Sequence, residues 1–380
     1  MIKKLLPTVI GAALIGGMSA AQADVTVFGH LDTSVAGIDT DEGFITLGKT
    51  PDTWEQATSD ADDTNFYCTT CSLGFKGSED LGNGLKAIFK LDFQFDMFNR
   101  NSNGSITDRD QWLGLAGNFG QVVFGTTSTS YKSHGAMIDP LYRTVAQGRD
   151  HNMQSFLHSN AGEDGQGRAD NTMRYDSPDW NGLKFSAHYT LDSDENDGCN
   201  VNLDPPTAAN PNNDPCDEDD DAFGAGVQYS NGGILVFADY VTNDSSQINA
   251  DNTNGNIYGD VEGWKVGGKY TLNNFAVYAQ YEDIDADTGD NEEVELWHLA
   301  GSYTMGNNML YLGYGHTELT ADSTDREPEV DSFTLAATHS LSKRTTVYAA
   351  YNMKEQDLDV TDGSDDPEQD VWGIGMKHKF

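Results

Sequence analysis

From Leu85 to Asp96 the chain reads Leu-Lys-Ala-Ile-Phe-Lys-Leu-Asp-Phe-Gln-Phe-Asp. In an extended backbone Leu85, Ala87, Phe89, Leu91, Phe93 and Phe95 share one face. Lys86, Lys90, Asp92, Gln94 and Asp96 share the other. A 3.6-residue period would scatter both sets around a helix, whereas a period of two separates them, so the segment predicts a strand with one apolar and one wet side. The same alternation sets Leu183, Phe185, Ala187, Tyr189 and Leu191 against Lys184, Ser186, His188 and Asp192. It sets Trp264, Val266, Gly268, Tyr270 and Leu272 against Lys265, Lys269 and Thr271, and Trp372, Ile374, Met376, His378 and Phe380 against Lys377 and Lys379.

Connections between the alternating segments are short, then long. Short turns rich in Gly, Asn and Asp are expected at Glu79–Gly84, Asn118–Gly120, Asp179–Gly182, Asn231–Gly233, Asn273-Asn274, Gly306–Asn308 and Ser342-Lys343. Seven short turns and eight long acidic loops make fifteen connections and predict an all-β fold of sixteen antiparallel strands. An even strand number with short turns at one rim and long loops at the other is the layout of a transmembrane β-barrel, short on the periplasmic side and long on the extracellular side. Closing the sheet satisfies every backbone N–H and C=O, which is the condition for crossing lipid. Trp180, Trp264, Trp297, Trp372, Tyr229, Tyr270 and Tyr303 stand near strand ends, where an interfacial girdle belongs. Sixteen strands leave an aqueous lumen, so the geometry implies a channel.

The N-terminus adds a location. Lys3 and Lys4 precede an apolar run from Leu5 to Gly17 and the small-x-small triplet Ala21-Gln22-Ala23. This predicts an export leader, residues 1–23, and a single barrel domain over 24–380. No later apolar run is long enough for a spanning helix.

Charge then narrows the partners. Lys plus Arg number 22 and Asp plus Glu 61, a formal net charge of −39. The predicted leader carries lysines and no acids, so the remainder is more acidic still. Such a field repels phosphate backbones and excludes general nucleic-acid binding. The acids crowd into Asp39–Asp63, Asp192–Asp221, Asp283–Glu295, Glu318–Asp331 and Glu355–Asp370, which read as solvated loops able to hold divalent cations weakly. No cofactor is expected. The cysteines form two local pairs, Cys68 with Cys71 and Cys199 with Cys216, expected as loop disulfides in an oxidising compartment. A zinc site would need both pairs to converge, and a redox CxxC motif would sit in a βαβ context. In a flat strand Cys68 and Cys71 point to opposite faces, so bridging them requires a local turn.

Leu73-Gly74-Phe75-Lys76-Gly77-Ser78-Glu79-Asp80-Leu81-Gly82-Asn83-Gly84-Leu85-Lys86-Ala87 resembles the second strand, first turn and third strand of the general porins of Gram-negative outer membranes. Arg109-Asp110-Gln111-Trp112-Leu113-Gly114-Leu115 with Phe119-Gly120-Gln121-Val122-Val123-Phe124-Gly125 resembles their next hairpin, and Asn171–Pro178 the strand after their constriction loop. The terminal Phe380 is similar to the residue read by the barrel-assembly machinery. The resemblance implies a homotrimer in outer-membrane lipid and lipopolysaccharide, passing small hydrophilic solutes and ions, with a third loop folded inward. Here that loop is about 128–170. It carries Asp139, Asp150, Glu163, Asp164 and Asp170 with Arg143, Arg149 and Arg168. In the family, loop acids face a ladder of bases on the barrel wall.

Parity nominates that ladder. Leu73 and Phe75 facing lipid put Ser72 and Lys76 in the lumen. Trp112 facing lipid does the same for Arg109. Met173 and Tyr175 outward put Thr172, Arg174 and Asp176 inward, and Val27, Leu31 and Val35 outward put Phe28, His30 and Asp32 inward. Lys90 joins them on the wet face of its strand. Ser72 stands where many similar porins carry Arg. No HExxH, GxSxG or phosphate-binding Gly loop is present, so no enzyme is expected. Asp283-Ile284-Asp285-Ala286-Asp287 lacks the Gly and closing Glu of a calcium loop.

The expected function is passive diffusion with cation preference, set by acidic surroundings that concentrate cations at the mouth. The alternative is a substrate-selective channel, for example for oligosaccharides, with Tyr131, Tyr142 and Phe156 starting an aromatic track. A further alternative is an adhesin or receptor barrel whose loops are the active part.

Overall fold

A computed structural model describes residues 24–46, 55–57, 59–98, 106–159, 161–162, 165–191, 222–243, 260–287, 292–321, 328–357 and 366–380. The alternating segments become strands β1 (Asp24–Thr40), β2 (in two segments, Ala61–Tyr67 and Ser72–Gly82), β3 (Leu85–Phe95), β4 (Ile106–Gly117) and β5 (Gly120–Ser128). After the third loop come β6 (Arg168–Asp176), β7 (Leu183–Thr190), β8 (Ala222–Asn231), β9 (Ile234–Asn243), β10 (Asp260–Leu272) and β11 (Phe275–Asp287). The last five are β12 (Glu292–Met305), β13 (Asn308–Ala321), β14 (Glu329–Ser340), β15 (Thr345–Asp357) and β16 (Glu368–Lys379). Each pairs antiparallel with the next, and β16 returns to β1 with His30 opposite Lys379 and Thr40 opposite Gln369. The result is a closed 16-stranded antiparallel barrel.

The tight turns fall where Gly and Asn predict them. Asn83 and Gly84 take φ of 56° and 79°, the left-handed pair that suits a two-residue hairpin turn. This turn is narrower than Glu79–Gly84, because β2 runs on to Gly82. The acid run Asp283–Glu295, expected as a loop, is mostly strand. β11 continues to Asp287 and β12 starts at Glu292, with Asp283 opposite Glu295. Acidity marks solvent there, and the strands simply extend into it.

Two media sort the side chains. Leu113, Phe124, Leu272, Leu299, Leu310 and Ile374 are exposed on the outer face, while Asp32, Lys265, Gln280 and Glu282 are buried on the inner one. All seven girdle aromatics are exposed outward. Trp264 and Tyr270 on β10, like Trp297 and Tyr303 on β12, lie roughly 20 Å apart along their strands, which gives two belts.

β2 is one strand interrupted by a disulfide. Cys68 and Cys71 are bridged across a turn with Thr70 at φ 52°, the turn their spacing demands. The Ala61–Tyr67 segment pairs with the far half of β1 and Ser72–Gly82 with the near half. Cys199 and Cys216 lie outside the described residues.

The third loop leaves β5 at Ser128 and rejoins the wall at Arg168, and its described core residues pack inside the barrel. It opens with helix α1 (Ser130–Ile138), whose N-cap Thr129 accepts the Lys132 N–H at 3.3 Å. Ile138, Leu141 and Ala146 pack on Leu235, Phe237, Tyr278, Tyr311 and Ala336. Tyr131 and Leu157 pack on Val241, Val261, Ile284 and Leu319. These wall residues point inward yet are apolar, because loop rather than water covers them. At about 1.5–3 kcal/mol per fully buried large side chain, the packing makes the loop part of the fold.

Candidate functional site

Charge fixes the loop to the far wall. Glu282 on β11 accepts the Tyr131 hydroxyl at 2.5 Å, the Ser155 N–H at 3.0 Å, the Ser155 hydroxyl and Gln280 Nε2 at 2.5 Å. Lys265 on β10 donates to the Tyr131 carbonyl and lies 2.9 Å from His158 Nε2 and 3.9 Å from Asp239. Asp239 in turn binds His134 Nδ1 at 2.9 Å. Burial and the Lys265 charge hold the His158 imidazole well below its ordinary pKa, so it stays neutral and accepts from the ammonium. A buried network satisfied on this scale specifies one arrangement, since any lost partner strands a charge.

The loop then crosses to the opposite wall. Lys377 Nζ on β16 donates to the Tyr142 carbonyl at 3.4 Å, Lys354 Nζ on β15 donates to the Asp150 carbonyl at 3.1 Å, and the Ser332 hydroxyl donates to the His151 carbonyl at 2.6 Å. Arg143 Nη1 reaches the Ser72 hydroxyl at 3.5 Å, and His30 Nε2 lies 3.4 Å from the Arg143 carbonyl. Ser72, expected from the resemblance at a position of the basic ladder, has a loop arginine beside it.

On the near wall a β-bulge supplies the charge. Leu91 faces Gln111 and Phe93 faces Asp108, so Arg109 and Asp110 together oppose Asp92. Both of their side chains point inward, as two residues opposing one in a bulge can. Arg109 Nε lies 3.2 Å from Asp92, and its Nη1 donates to Gln94 at 2.6 Å. Asp110 receives Lys90 Nζ at 2.6 Å, Arg168 Nε at 3.2 Å and the Ser128 hydroxyl at 2.7 Å. Trp112 corrects the parity argument. It is registered opposite Lys90 and so shares the inward face, and Arg109 is in the lumen because of the bulge.

Across the narrowed lumen, the guanidinium groups of Arg149 and Arg143 lie 5.5 and 5.8 Å from the Tyr142 ring. Burial alone would push the Tyr142 phenol up, but the charges of Arg149, Arg143 and Arg109 bring it below its ordinary value. Lys132 on α1 is driven well below its ordinary value by burial and by Arg168, Arg149 and Arg109. Arg149 and Arg109 act on both groups. Asp150 offsets part of this positive charge, exposed and 3.7 Å from Arg149 Nε. Asp139 contributes less, because it is turned into the loop, where it accepts the Leu141 N–H at 2.8 Å and the Gly148 N–H at 2.9 Å. Burial raises its pKa to about 6.

The remaining nominees scatter. Lys76 lies over the Phe28 ring at 5.5 Å. Arg174 binds Asp176 at 2.7 Å and the Ser128 carbonyl. Asp170 sits at the bulge where β6 loses register with β5. Glu163 and Asp164 lie outside the described residues. Phe380 closes the barrel, its N–H donating to the Gly29 carbonyl at 3.2 Å and its carbonyl accepting the Gly29 N–H at 3.1 Å. Tyr131 is fully buried and offers no face to a solute, and Phe156 is partly buried against an apolar cluster. Sequence reasoning missed Glu282, Asp239, Asp92, Asp110 and Lys132. The apolar run Ile234-Leu235-Val236-Phe237, which breaks the alternation, marks the wall that the loop covers.

The arrangement is a closed barrel narrowed by a packed loop, with charged side chains gathered around the narrowed section. A family model described as Gram-negative porin matches residues 8–359. An outer membrane porin protein of Bordetella pertussis is 25% identical over 98% of this chain and 99% of its own length. The major outer membrane protein P.IB of Neisseria meningitidis serogroup B is 25% identical over 95% of this chain and 96% of its own. Among solved structures, the anion-selective porin from Comamonas acidovorans superposes with a TM-score of 0.70 at 21% identity, covering 94% of this chain and all of that one. In-vitro folded OmpT of Vibrio cholerae, in trimer form, gives 0.63 at 15% identity, covering 94% and 99%. The Bordetella pertussis and Comamonas acidovorans proteins are porins. With a closed 16-stranded barrel and a family match across most of its length, the chain belongs to the Gram-negative porin family and is an outer-membrane channel for passive diffusion.

Proposed function

We propose that the loop-narrowed section, lined by Arg109, Arg143, Arg149 and Arg168, sets the charge preference of the channel and favours small hydrophilic anions. The carrying observation is the guanidinium cluster around Tyr142, incompletely offset by Asp92, Asp110 and Asp150. Guanidinium groups only donate hydrogen bonds and stay charged, so a permeating anion trades hydration for fixed donors. The name of the Comamonas acidovorans porin supports the same reading. In this reading residues 1–23 are the export leader and the working unit is a homotrimer, for which the trimer form of OmpT is the support.

The cation preference expected from the sequence is the second reading, and the net charge of −39 favours it. The two differ in their salt dependence. A mouth effect acts over a Debye length, about 10 Å at 0.1 M salt, and is screened away as salt rises. Charges in the narrowed section act at contact and persist. The test is the reversal potential of the refolded protein in a planar bilayer, measured across KCl gradients of low and high mean concentration. Anion preference that survives high salt supports the loop-narrowed section as the filter. Cation preference that strengthens at low salt overturns it in favour of the mouth.

A further inference from the structure

The outer wall just above the aromatic belt carries a row that diffusion does not use. Asp283, Glu295, Glu318, Glu329 and Asp357 stand directly opposite one another on β11, β12, β13, β14 and β15. They share the outward face with the exposed Trp297. Like charges in direct cross-strand register destabilise a sheet unless something positive sits between them. On β13, His316 lies one outward position from Glu318 and directly opposite both Trp297 and Asp331. The Trp297 and His316 rings are 5.8 Å apart. One ligand atom from each of His316, Glu318 and Glu329 can be chosen so that all lie within 4.8 Å of one another.

We propose that His316, Glu318 and Glu329 form a divalent transition-metal site on the outer face of the barrel. The histidine is already held for that role. Asp331 Oδ1 is 2.8 Å from His316 Nδ1, and a carboxylate there keeps the proton on Nδ1 and leaves the Nε2 lone pair to bind metal. Asp331 is itself held by the Tyr314 hydroxyl at 2.5 Å, so the carboxylate–imidazole unit is oriented from behind. One imidazole with two carboxylates suits Zn²⁺, whereas Ca²⁺ and Mg²⁺ take all-oxygen shells. Three protein ligands leave the fourth tetrahedral position to an oxygen from the surroundings. The site clamps β13 to β14 and relieves the repulsion between Glu318 and Glu329.

The test is isothermal titration of the folded barrel in detergent with ZnCl₂ against a chelator of known affinity. The expected result is one Zn²⁺ per chain that equimolar CaCl₂ or MgCl₂ does not displace. His316→Ala should weaken it at least about 100-fold, and Asp331→Asn about 10–100-fold, the usual cost of losing the partner that orients a ligating histidine. His339→Ala, on the same outer wall but bonded to Asn308 near the short turns, should leave binding unchanged. Co²⁺ bound to the unsubstituted barrel should show an imidazole nitrogen in its electron–nuclear double-resonance spectrum, a readout independent of any variant's folding. Equal binding by His316→Ala and His339→Ala, displacement by equimolar Ca²⁺, or a Co²⁺ spectrum without nitrogen would each overturn the site and reduce the row to a loosely neutralised surface.

Discussion

The lumen wall and the outer rim are built from the same strands, often from adjacent residues, and treat charge in opposite ways. Glu282 points inward and is bonded by Tyr131 and Ser155, while Asp283 points outward into a row of other carboxylates. Lys354 is buried against the Asp150 carbonyl, while Glu355 stands outside opposite Asp331. Inside, Glu282, Lys354 and Asp110 each have a partner of opposite sign or a hydrogen bond. Outside, solvent screens the acids, so they tolerate register with one another at small cost. Net charge therefore describes the rim, while the narrowed lumen gathers Arg109, Arg143, Arg149 and Arg168.

The largest effect should come from breaking the inner network. Glu282→Ala takes a neighbouring carboxylate from the buried Lys265 and should loosen the third loop by about 3–5 kcal/mol. Limited proteolysis should cut the loop in the variant and spare it in the parent, with noisier single-channel current. An uncut loop would mean that apolar packing alone anchors it.

Next, Arg143→Ala with Arg149→Ala should lower the anion-to-cation permeability ratio. At roughly 1 kcal/mol per charge facing a solute at 5–6 Å in a wet pore, the ratio should fall several-fold or more. Removing rim acids, by Glu293→Gln with Glu295→Gln, should change it far less at high salt. A reversed ranking would return selectivity to the mouth.

The pH response should be smaller. Asp139 has its pKa raised from 3.8 to about 6 by burial. A carboxyl raised on folding stabilises the folded loop below the unfolded value and loses that contribution as pH rises through the folded one, between about 4 and 6. Its negative charge in the loop disappears over the same window as pH falls. Anion preference should thus rise on acidification through about pH 6, and Asp139→Asn should flatten that step in reversal-potential measurements.

The smallest effect belongs to the rim. With a chelator present, Glu318→Gln removes the like-charge pairs with Glu295 and Glu329 and should stabilise the barrel by about 0.2–1 kcal/mol per pair in urea unfolding. Destabilisation instead would show that the row is not repulsive in the metal-free protein.

Much of the molecule is legible in its sequence. Period-two alternation places the strands, Gly and Asn place the turns, and aromatics place the belts, because lipid or water at each side chain is a choice made one residue at a time. The narrowed section is less legible. Parity through an outward Trp112 puts Arg109 in the lumen, yet Trp112 shares the inward face and a bulge brings Arg109 there. Asp139 carries the charge of a pore acid but serves as an acceptor inside the loop. Tyr131, a candidate start for an aromatic track, is an anchor to Glu282, 151 positions away in sequence.

By itself, then, the sequence determined a sixteen-stranded barrel with an apolar outside, a wet inside and acidic loops. Those properties follow from local periodicity and composition. Tertiary structure alone decided which polar side chains meet across the lumen, since pairs such as Arg143 with Ser72 join residues 71 positions apart. It also decided that an inward stretch of Leu235, Phe237 and Tyr278 is covered by loop. The physical reason is that an ionic or apolar contact depends on where two backbones converge, and neither backbone carries that information in its own pattern.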